Sequence, residues 1–462
     1  MTSRVTQYSI APSRHWYTRL VSRYLFPLHE MLKRHSTYAC LAQLERSQWL
    51  APAELEQLQQ LKLQQFMRQV STEVPYYQKL FARLNLTAND IQHLSDLQKL
   101  PLLDKPLIRE FNQQLFSRKA YRYTKGSTGG SSGQPLTFYM DQHRVSHDVA
   151  AKLRATRWWG VDIGDPEAVI WGAPIELGKQ SKFKTLRDKL FRSVLMPALT
   201  LTPELINHQL HQLIQQKPAM IFGYPSVIYR LCLAAKEQQL ALDKLGVRVV
   251  FVTSEMLYPH ERAVISASFN CPVANGYGAR DAGFIAHECP AGKMHISAED
   301  IIVELVNENG KPVAPGEIGE IVTTHLATPG YPFIRYRTGD LAQWDPTPCS
   351  CGRGLPVLAR VQGRRRDFLL TTSGDQLHSW GLVYLLRDLT DIDKFKIIQD
   401  SADHISLLYV APKALAQIQQ LQIQQQFQHL LGADMQVDIE KVQDIPASAN
   451  GKYCYVENKL AS

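Results

Sequence analysis

Between Tyr123 and Pro135 the chain sets Gly126, Gly129, Gly130 and Gly133 among Thr124, Ser127, Thr128, Ser131 and Ser132. Glycine lets successive backbone N–H groups turn toward one point, and hydroxyls add donors for an anion. Small side chains leave room for a phosphate to touch the backbone. The stretch runs into strand-like Leu136 to Tyr139 and fits a polyphosphate grip, although a flexible Gly/Ser linker has the same composition. No Gly-Lys-Ser/Thr ending closes it, so it is not a Walker A loop. A second group of residues suits a metal. Cys289 with His295, and Cys349 with Cys351, form two short-spaced pairs separated by a β-rich stretch. Three thiolates and an imidazole suit tetrahedral zinc, and the neighbouring Gly and Pro residues permit tight ligand turns. Four protein ligands would close the site and make it structural. The alternative is four reduced side chains without a metal near a surface loop. Cys40, Cys232, Cys271 and Cys454 show no partner pattern.

These residues need a scaffold, and 462 residues suffice for two or three domains. Hydrophobic residues at 45% and charged residues at 20% describe an ordinary globular chain. The net charge of +8 suits anionic substrates such as nucleotides, or a membrane surface. Nucleic acid is not expected, because the basic residues are spread out and no binding motif appears. Apolar runs such as Val249 to Val252 are strand-sized and too short to span a bilayer. No secretory signal opens the chain, and seven scattered cysteines argue for reduced thiols in a cytoplasm.

Residues 50–117 read as helices, with Leu58, Leu61, Leu63, Phe66 and Val70 at helical spacing and turns expected at Pro75 and at 100–104. From 118 to 360, strand-like runs at 168–171, 219–222, 249–252 and 301–306 alternate with helical stretches, which predicts an α/β domain. Residues 367–462 read as a small α+β module with a strand at 405–410 and a Gln-rich helix at 413–431. Near the start, Trp16, Tyr17, Leu20, Val21, Tyr24, Leu25 and Leu28 recur at helical spacing among Arg14, Arg19, Arg23, Lys33 and Arg34. A basic amphipathic helix over residues 14–34 suits two surfaces: the protein's own core, or an anionic membrane face.

The order of motifs resembles the adenylate-forming ligase superfamily, most closely its phenylacetate–CoA ligase and CapK-like branch, over nearly the whole chain. The resemblance implies a large α/β adenylation domain at 118–363 behind a helical extension at 1–117, then a small mobile α+β domain at 364–462. It gives the loop, with Ser127, Thr128, Gly129, Gly130, Ser131, Ser132 and Gly133, to the β- and γ-phosphates of ATP. The family loop usually ends Gly-Lys-Pro, and here Gln134 removes that cation. Asn275 to Asp281 resembles the adenine and magnesium motif: Tyr277 and Gly278 face adenine, and Asp281 replaces the usual glutamate on Mg2+. Arg280 stands where Thr or Ser is usual. Tyr336 to Asp340 matches the ribose motif, with Asp340 accepting from the ribose hydroxyls and Arg337 and Arg364 as partners for phosphate or ribose. Gly363 to Leu369 resembles the interdomain hinge, with Arg366 where an aspartate is expected and Asp367 retained. Gly451 and Lys452 resemble the final motif, whose lysine bridges the attacking carboxylate and the α-phosphate. Some members of this branch carry the Cys/His zinc arrangement.

The resemblance thus implies an ATP-dependent, AMP-forming ligase that activates a small carboxylic acid as an acyl-adenylate and passes it to an acceptor. The acceptor is CoA, or an amine or hydroxyl of a glycan in surface-polysaccharide assembly. The acyl pocket is expected around Phe222 to Ser226 and Thr253, Ser254 and Glu255. A different class remains open: a degenerate nucleotide-binding scaffold, suggested by Gln134 and Arg366.

Overall fold

In the computed structural model, described for residues 15–119, 122–128, 136–171, 182–198, 202–364, 368–387, 389, 392–446 and 454–460, the strands Met220–Gly223 and Val249–Thr253 are buried at every position. Strands hidden on both faces belong inside a parallel sheet covered by helices. These two sit centrally in a parallel run ordered Ser193–Pro197, Glu167–Trp171, Met220–Gly223, Val249–Thr253 and Val273–Ala279. The same 11-stranded sheet then continues with antiparallel pairings through Gly283–Glu288 and Met294–Ile296. It ends in the antiparallel ladder of Tyr336–Asp345, Ile318–His325 and Ile301–Val306. Within the parallel run the second strand in the chain lies outside the first, so the winding reverses between Glu167–Trp171 and Met220–Gly223. Sheets of this topology collect ligands beyond the carboxyl ends at that reversal.

The chain divides into two compact units, residues 1–362 and 363–462. In the second, a 4-stranded sheet orders Gln436–Lys441, His404–Val410, Lys394–Ser401 and Val456–Asn458, with the helix Gln417–Leu431 beside it. That helix starts later than the expected residue 413. The Gln419 side chain accepts the Ala416 N–H at 2.9 Å and fixes the first turn there.

In the first unit the helix Pro52–Glu73 packs Leu63, Phe66, Met67 and Val70 into the core that also holds Ile301, Leu305, Ile321 and Tyr336. Pro75 does not make the expected turn: it opens the helix Pro75–Arg83 after extended Val74. Proline is tolerated in a first turn, where its missing N–H has no helical partner to lose. The predicted N-terminal helix is present as Trp16–Leu20, a π turn at Val21–Leu25, and Phe26–Leu32. Pro27 lacks an N–H for the preceding turn, and the π turn absorbs that break. Its inner face docks on the unit. Thr18 Oγ1 donates to Asp165 Oδ1 at 2.9 Å, Phe26 packs edge-on against Phe191, and Val21 lies where a Cβ on Gly164 would come within 2.6 Å.

Beneath the sheet runs the helix Gln142–Arg157, started by Asp141, which accepts Arg144 N–H at 2.8 Å and Gly330 N–H at 2.7 Å. Its Arg154 is almost wholly buried and donates to Glu299 Oε1 at 2.5 Å and Ser297 Oγ at 3.1 Å. Removing one member of a buried ion pair leaves the other charge uncompensated. Glu299→Ala should therefore lower the stability of the first unit by about 3 kcal/mol or more, read from its urea-unfolding transition. A shift within the error of the wild type would show that Arg154 finds another partner.

Candidate nucleotide site

Thr128 and Leu136 form the neck of the glycine-rich loop. The Thr128 N–H donates to Leu136 O at 3.0 Å, and the Leu136 N–H to Thr128 Oγ1 at 2.9 Å. Below the neck, Tyr123–Ser127 pairs antiparallel with Thr137–Asp141. Gly126 is required there, because a Cβ would stand 2.4 Å from the Phe138 ring. Ser127 and Thr128 are thus anchored at the loop's base. Gly129, Gly130, Ser131, Ser132 and Gly133, with Gln134, lie outside the described residues, as do Arg366, Asp367 and Lys452. Of Arg364 the structure describes the backbone, at the end of Val357–Arg364.

Tyr277 and Gly278 stand near the end of the strand Val273–Ala279, and Arg280 and Asp281 in the tight turn between it and Gly283–Glu288. A Cβ on Gly278 would lie 2.3 Å from Gly283 O, so the two strands approach as closely as glycine allows. Two hydrogen bonds tie this turn to the Tyr336–Asp345 strand. The Tyr277 hydroxyl donates to Asp340 Oδ2 at 2.8 Å, and the Tyr336 hydroxyl to Asp281 Oδ2 at 2.5 Å. Asp281 is buried and Asp340 half-buried. Burial, and then the Asp281 carboxylate, push the Tyr336 phenol well above its usual range, so it remains a donor. Arg337, which the resemblance gives to phosphate or ribose, is engaged by Glu320, to whose carboxylate its Nε donates at 3.0 and 3.1 Å. Ser254 follows the Val249–Thr253 strand at φ 73°, a left-handed conformation costly for a residue other than glycine. Glu255 Oε2 accepts the Ser226 N–H at 3.3 Å, which joins the turns after two neighbouring strands. Near the winding reversal, Trp171 stacks on Phe222 and meets Tyr224 at a tilt, at 6.0 and 4.7 Å between ring centroids.

The turn at Arg280 rests on buried groups that the sequence did not single out. Arg144 donates to Arg280 O at 3.2 Å and, through Nε, to Asp148 at 2.9 Å. His147 and His325 meet edge-on beside Asp148, with ring centroids 5.0 Å apart. Two imidazoles and a carboxylate this close invite a metal reading, but the tautomer excludes it. His325 Nδ1 accepts the Ala327 N–H, so a neutral ring carries its proton on Nε2, the atom facing Asp148. His147 is held above the usual imidazole range by Asp148 and Asp300 against the opposing effect of burial, and Asp300 also pairs with Lys62 at 2.7 Å. The cluster is an ion network.

At the other end of Gly283–Glu288 the Cys/His residues converge. Cys289 and Cys349 sulfurs are 3.6 Å apart, Cys351 Sγ is 3.2 Å from His295 Nε2, and all four ligand atoms lie within 4.8 Å of one another. Metal–sulfur bonds of about 2.3 Å at tetrahedral angles demand sulfurs roughly 3.8 Å apart, so the donor set fits zinc. His295 Nδ1 lies 3.1 Å from Leu355 O, an arrangement that leaves Nε2 as the ligand atom. Cys289, and then His295, lower the Cys351 thiol against the opposing effect of burial. Eight residues of roughly 3.3 Å each separate Cys289 from Asp281, so this cluster stands apart from the nucleotide turn.

The fold matches that of adenylate-forming ligase structures. Residues 191–331 match the AMP-binding enzyme family, and residues 369–459 match the CapK C-terminal domain. The chain is 23% identical to Protein CapK of Staphylococcus aureus over 413 residues, covering 88% of this chain and 90% of that protein. It is 26% identical to the phenylacetate-coenzyme A ligase of Escherichia coli strain K12, covering 69% of this chain and 72% of the ligase. Its fold is similar to that of 2-hydroxyisobutyryl-CoA ligase in the postadenylation state, with a TM-score of 0.73 at 19% identity over 90% and 92% of the two chains. The chain belongs to the adenylate-forming superfamily, in the branch that contains CapK and the phenylacetate–CoA ligases.

The buried histidines set a pH dependence. Burial, and then Arg154 for His287 and Arg144 for His325, lower both to about 3. A histidine kept neutral by folding gains a proton on unfolding, so stability falls as pH drops below the unfolded value of about 6.5. Each such group contributes a slope of up to about 1.4 kcal/mol per pH unit. Burial also lowers His143, which adds in the same sense, while the raised His147 acts against it and leaves the three lowered rings in the majority. The urea midpoint should decline from pH 7 to pH 5, above the carboxylate range, and His325→Gln should make the decline shallower. A flat profile would contradict the neutral assignment.

Proposed function

We propose that this protein is an ATP-dependent, AMP-forming acid ligase. One observation carries the reading: Tyr277–Asp340 and Tyr336–Asp281 hydrogen bonds hold an aromatic face and two carboxylates together at the carboxyl end of Val273–Ala279. The Tyr277 ring offers adenine an apolar face. Asp340 accepts from the ribose hydroxyls, and the N–H groups and hydroxyls of 127–133 receive the outer phosphates. Asp281 is the carboxylate for Mg2+, which supplies charge neutralisation when bound. The substrate carboxylate attacks the α-phosphorus; the new C–O–P bond forms as the bond to the β-phosphate oxygen breaks, and pyrophosphate leaves. Lys452 and Arg364 neutralise charge at the α-phosphate in this step. The acceptor then attacks the acyl carbon, AMP leaves, and the acceptor's proton passes to solvent.

We assign the acceptor to the amines or hydroxyls of surface-polysaccharide assembly. The CapK C-terminal match over residues 369–459 supports this choice. CoA is the second reading, favoured by similarity to proteins named CoA ligases. Work beside lipid-linked glycans suits peripheral membrane contact through residues 14–34. The Cys289, His295, Cys349 and Cys351 set holds a structural zinc that pins two loops of the antiparallel region.

Pyrophosphate release from ATP with a panel of carboxylic acids tests the ligase against a scaffold, and mass spectrometry with CoA or amino sugars reads the acceptor. Lys452→Ala should cut release about a hundredfold or more while ATP still binds. No release with any acid would favour the scaffold, and an unaltered rate would remove Lys452 from its role. Elemental analysis should give one zinc per chain, and Cys349→Ser should lower the thermal midpoint. Metal-free protein of unchanged stability would refute the zinc.

A further inference from the structure

The N-terminal helix has two faces, and its docking on the first unit accounts for only one. Thr18, Val21, Phe26 and Glu30 are buried. On the other side Trp16, Leu20, Tyr24, Leu28 and Met31 form a stripe in solvent, with Trp16 69% and Tyr24 67% exposed. A helix docked solely on its own protein would turn polar residues outward. The stripe also has a neighbour. The Tyr17 hydroxyl donates to Leu190 O at 2.9 Å, and Phe26 and His29 meet Phe191 edge-on. This brings up the helix Lys182–Leu190, whose Leu186 and Leu190 are themselves exposed.

Charge around this apolar surface has one sign. Arg19, Arg23, Lys33 and Arg34 are exposed along and just past the first helix; on the second, Lys189 is exposed and Arg187 half-buried, with half-buried Arg192 just past its end. The acids among residues 15–34 and 186–194 are Glu30 and Asp188. Glu30 is buried, with Thr37, His29 and His35 on its carboxylate, and Asp188 pairs with Arg187 at 2.5 Å. The preceding residues 1–14 add Arg4 and Arg14 and no acid. Among the described residues no helix is long and apolar enough to cross a membrane.

We propose that these two helices together form a docking face for the surface of an anionic lipid bilayer. Trp16 and Tyr24 enter the headgroup boundary with Leu20, Leu28, Leu186 and Leu190, and the flanking cations meet lipid phosphates. A second copy of the chain fits poorly, because a two-fold interface would set this cationic rim against itself. The inference extends membrane contact from the first helix to a two-helix surface, and it stands independently of the ligase reading.

The test is flotation of the full chain with vesicles of phosphatidylcholine alone, or with phosphatidylglycerol added, in the absence of ATP and acid. The protein should float with the anionic vesicles, and less so as salt rises. Arg19→Glu with Arg23→Glu should reduce the bound fraction about tenfold or more, and Trp16→Ala with Tyr24→Ala should do likewise. Leu186→Ser with Leu190→Ser should weaken binding while the first helix is untouched. All these side chains are exposed, so an unchanged thermal midpoint verifies folding in each variant. Absence of flotation with anionic vesicles would overturn the proposal, as would binding unaffected by the variants. A dimer in sedimentation velocity that Trp16→Ala dissolves, without vesicle binding, would assign the stripe to self-association. Flotation lost by the Leu186 and Leu190 variant alone would refute the part given to the first helix, and no effect of that variant would refute the two-helix form.

Discussion

A charge removed from water must find a partner inside the protein, and the helix Gln142–Arg157 carries several such charges under the sheet. Arg154 is answered by Glu299, Asp148 by Arg144, and Asp300 by His147 and Lys62. Pairing of this kind is geometrically demanding, because a misplaced partner leaves an uncompensated charge in a medium of low polarity. The nucleotide turn inherits that demand. Arg144 reaches Arg280 O, so the turn's backbone is fixed by the same guanidinium that neutralises Asp148. From the other side Tyr336 fixes Asp281, and Tyr277 fixes Asp340. A turn held this way can present carboxylates to a nucleotide without first rearranging.

The strand Gly283–Glu288 joins this turn to the Cys/His cluster. Its first residues leave Asp281, and Cys289 follows its last. Whatever grips the four ligand atoms therefore also fixes the far end of the strand whose near end forms the nucleotide turn. Lys293 adds a clamp there, bonding Asp345 and the Thr347 carbonyl at 2.8 and 3.0 Å. The cluster and the turn are coupled through one stiff element, although the cluster is too distant to touch substrate.

Much of this was legible in the sequence where the signal was local. The apolar runs at 168–171, 219–222 and 249–252 fall on strands, because short apolar runs suit a parallel sheet covered by helices. Cys289, His295, Cys349 and Cys351 announced their meeting through residue type alone. Relationships between distant segments were harder to read. The Tyr336 hydroxyl on Asp281 and the Glu320 carboxylate on Arg337 join residues 55 and 17 positions apart, which no local pattern marks. Arg144 and His325 gave no signal, because their partners lie far away in the chain. Pro75 misled for a local reason, since proline marks a turn and the first turn of a helix equally well.

The π turn at Val21–Leu25 has a consequence for helical phase. On a regular α-helix, residues four apart advance by about 40° around the axis. The sequence from Trp16 through Leu20 and Tyr24 to Leu28 would then wind steadily away from its starting side. A turn closed by bonds one residue longer takes back part of that advance. The wider turn required by Pro27 thereby straightens a spiral of apolar side chains into a line along one edge of the helix, which a flat surface can meet along its whole length.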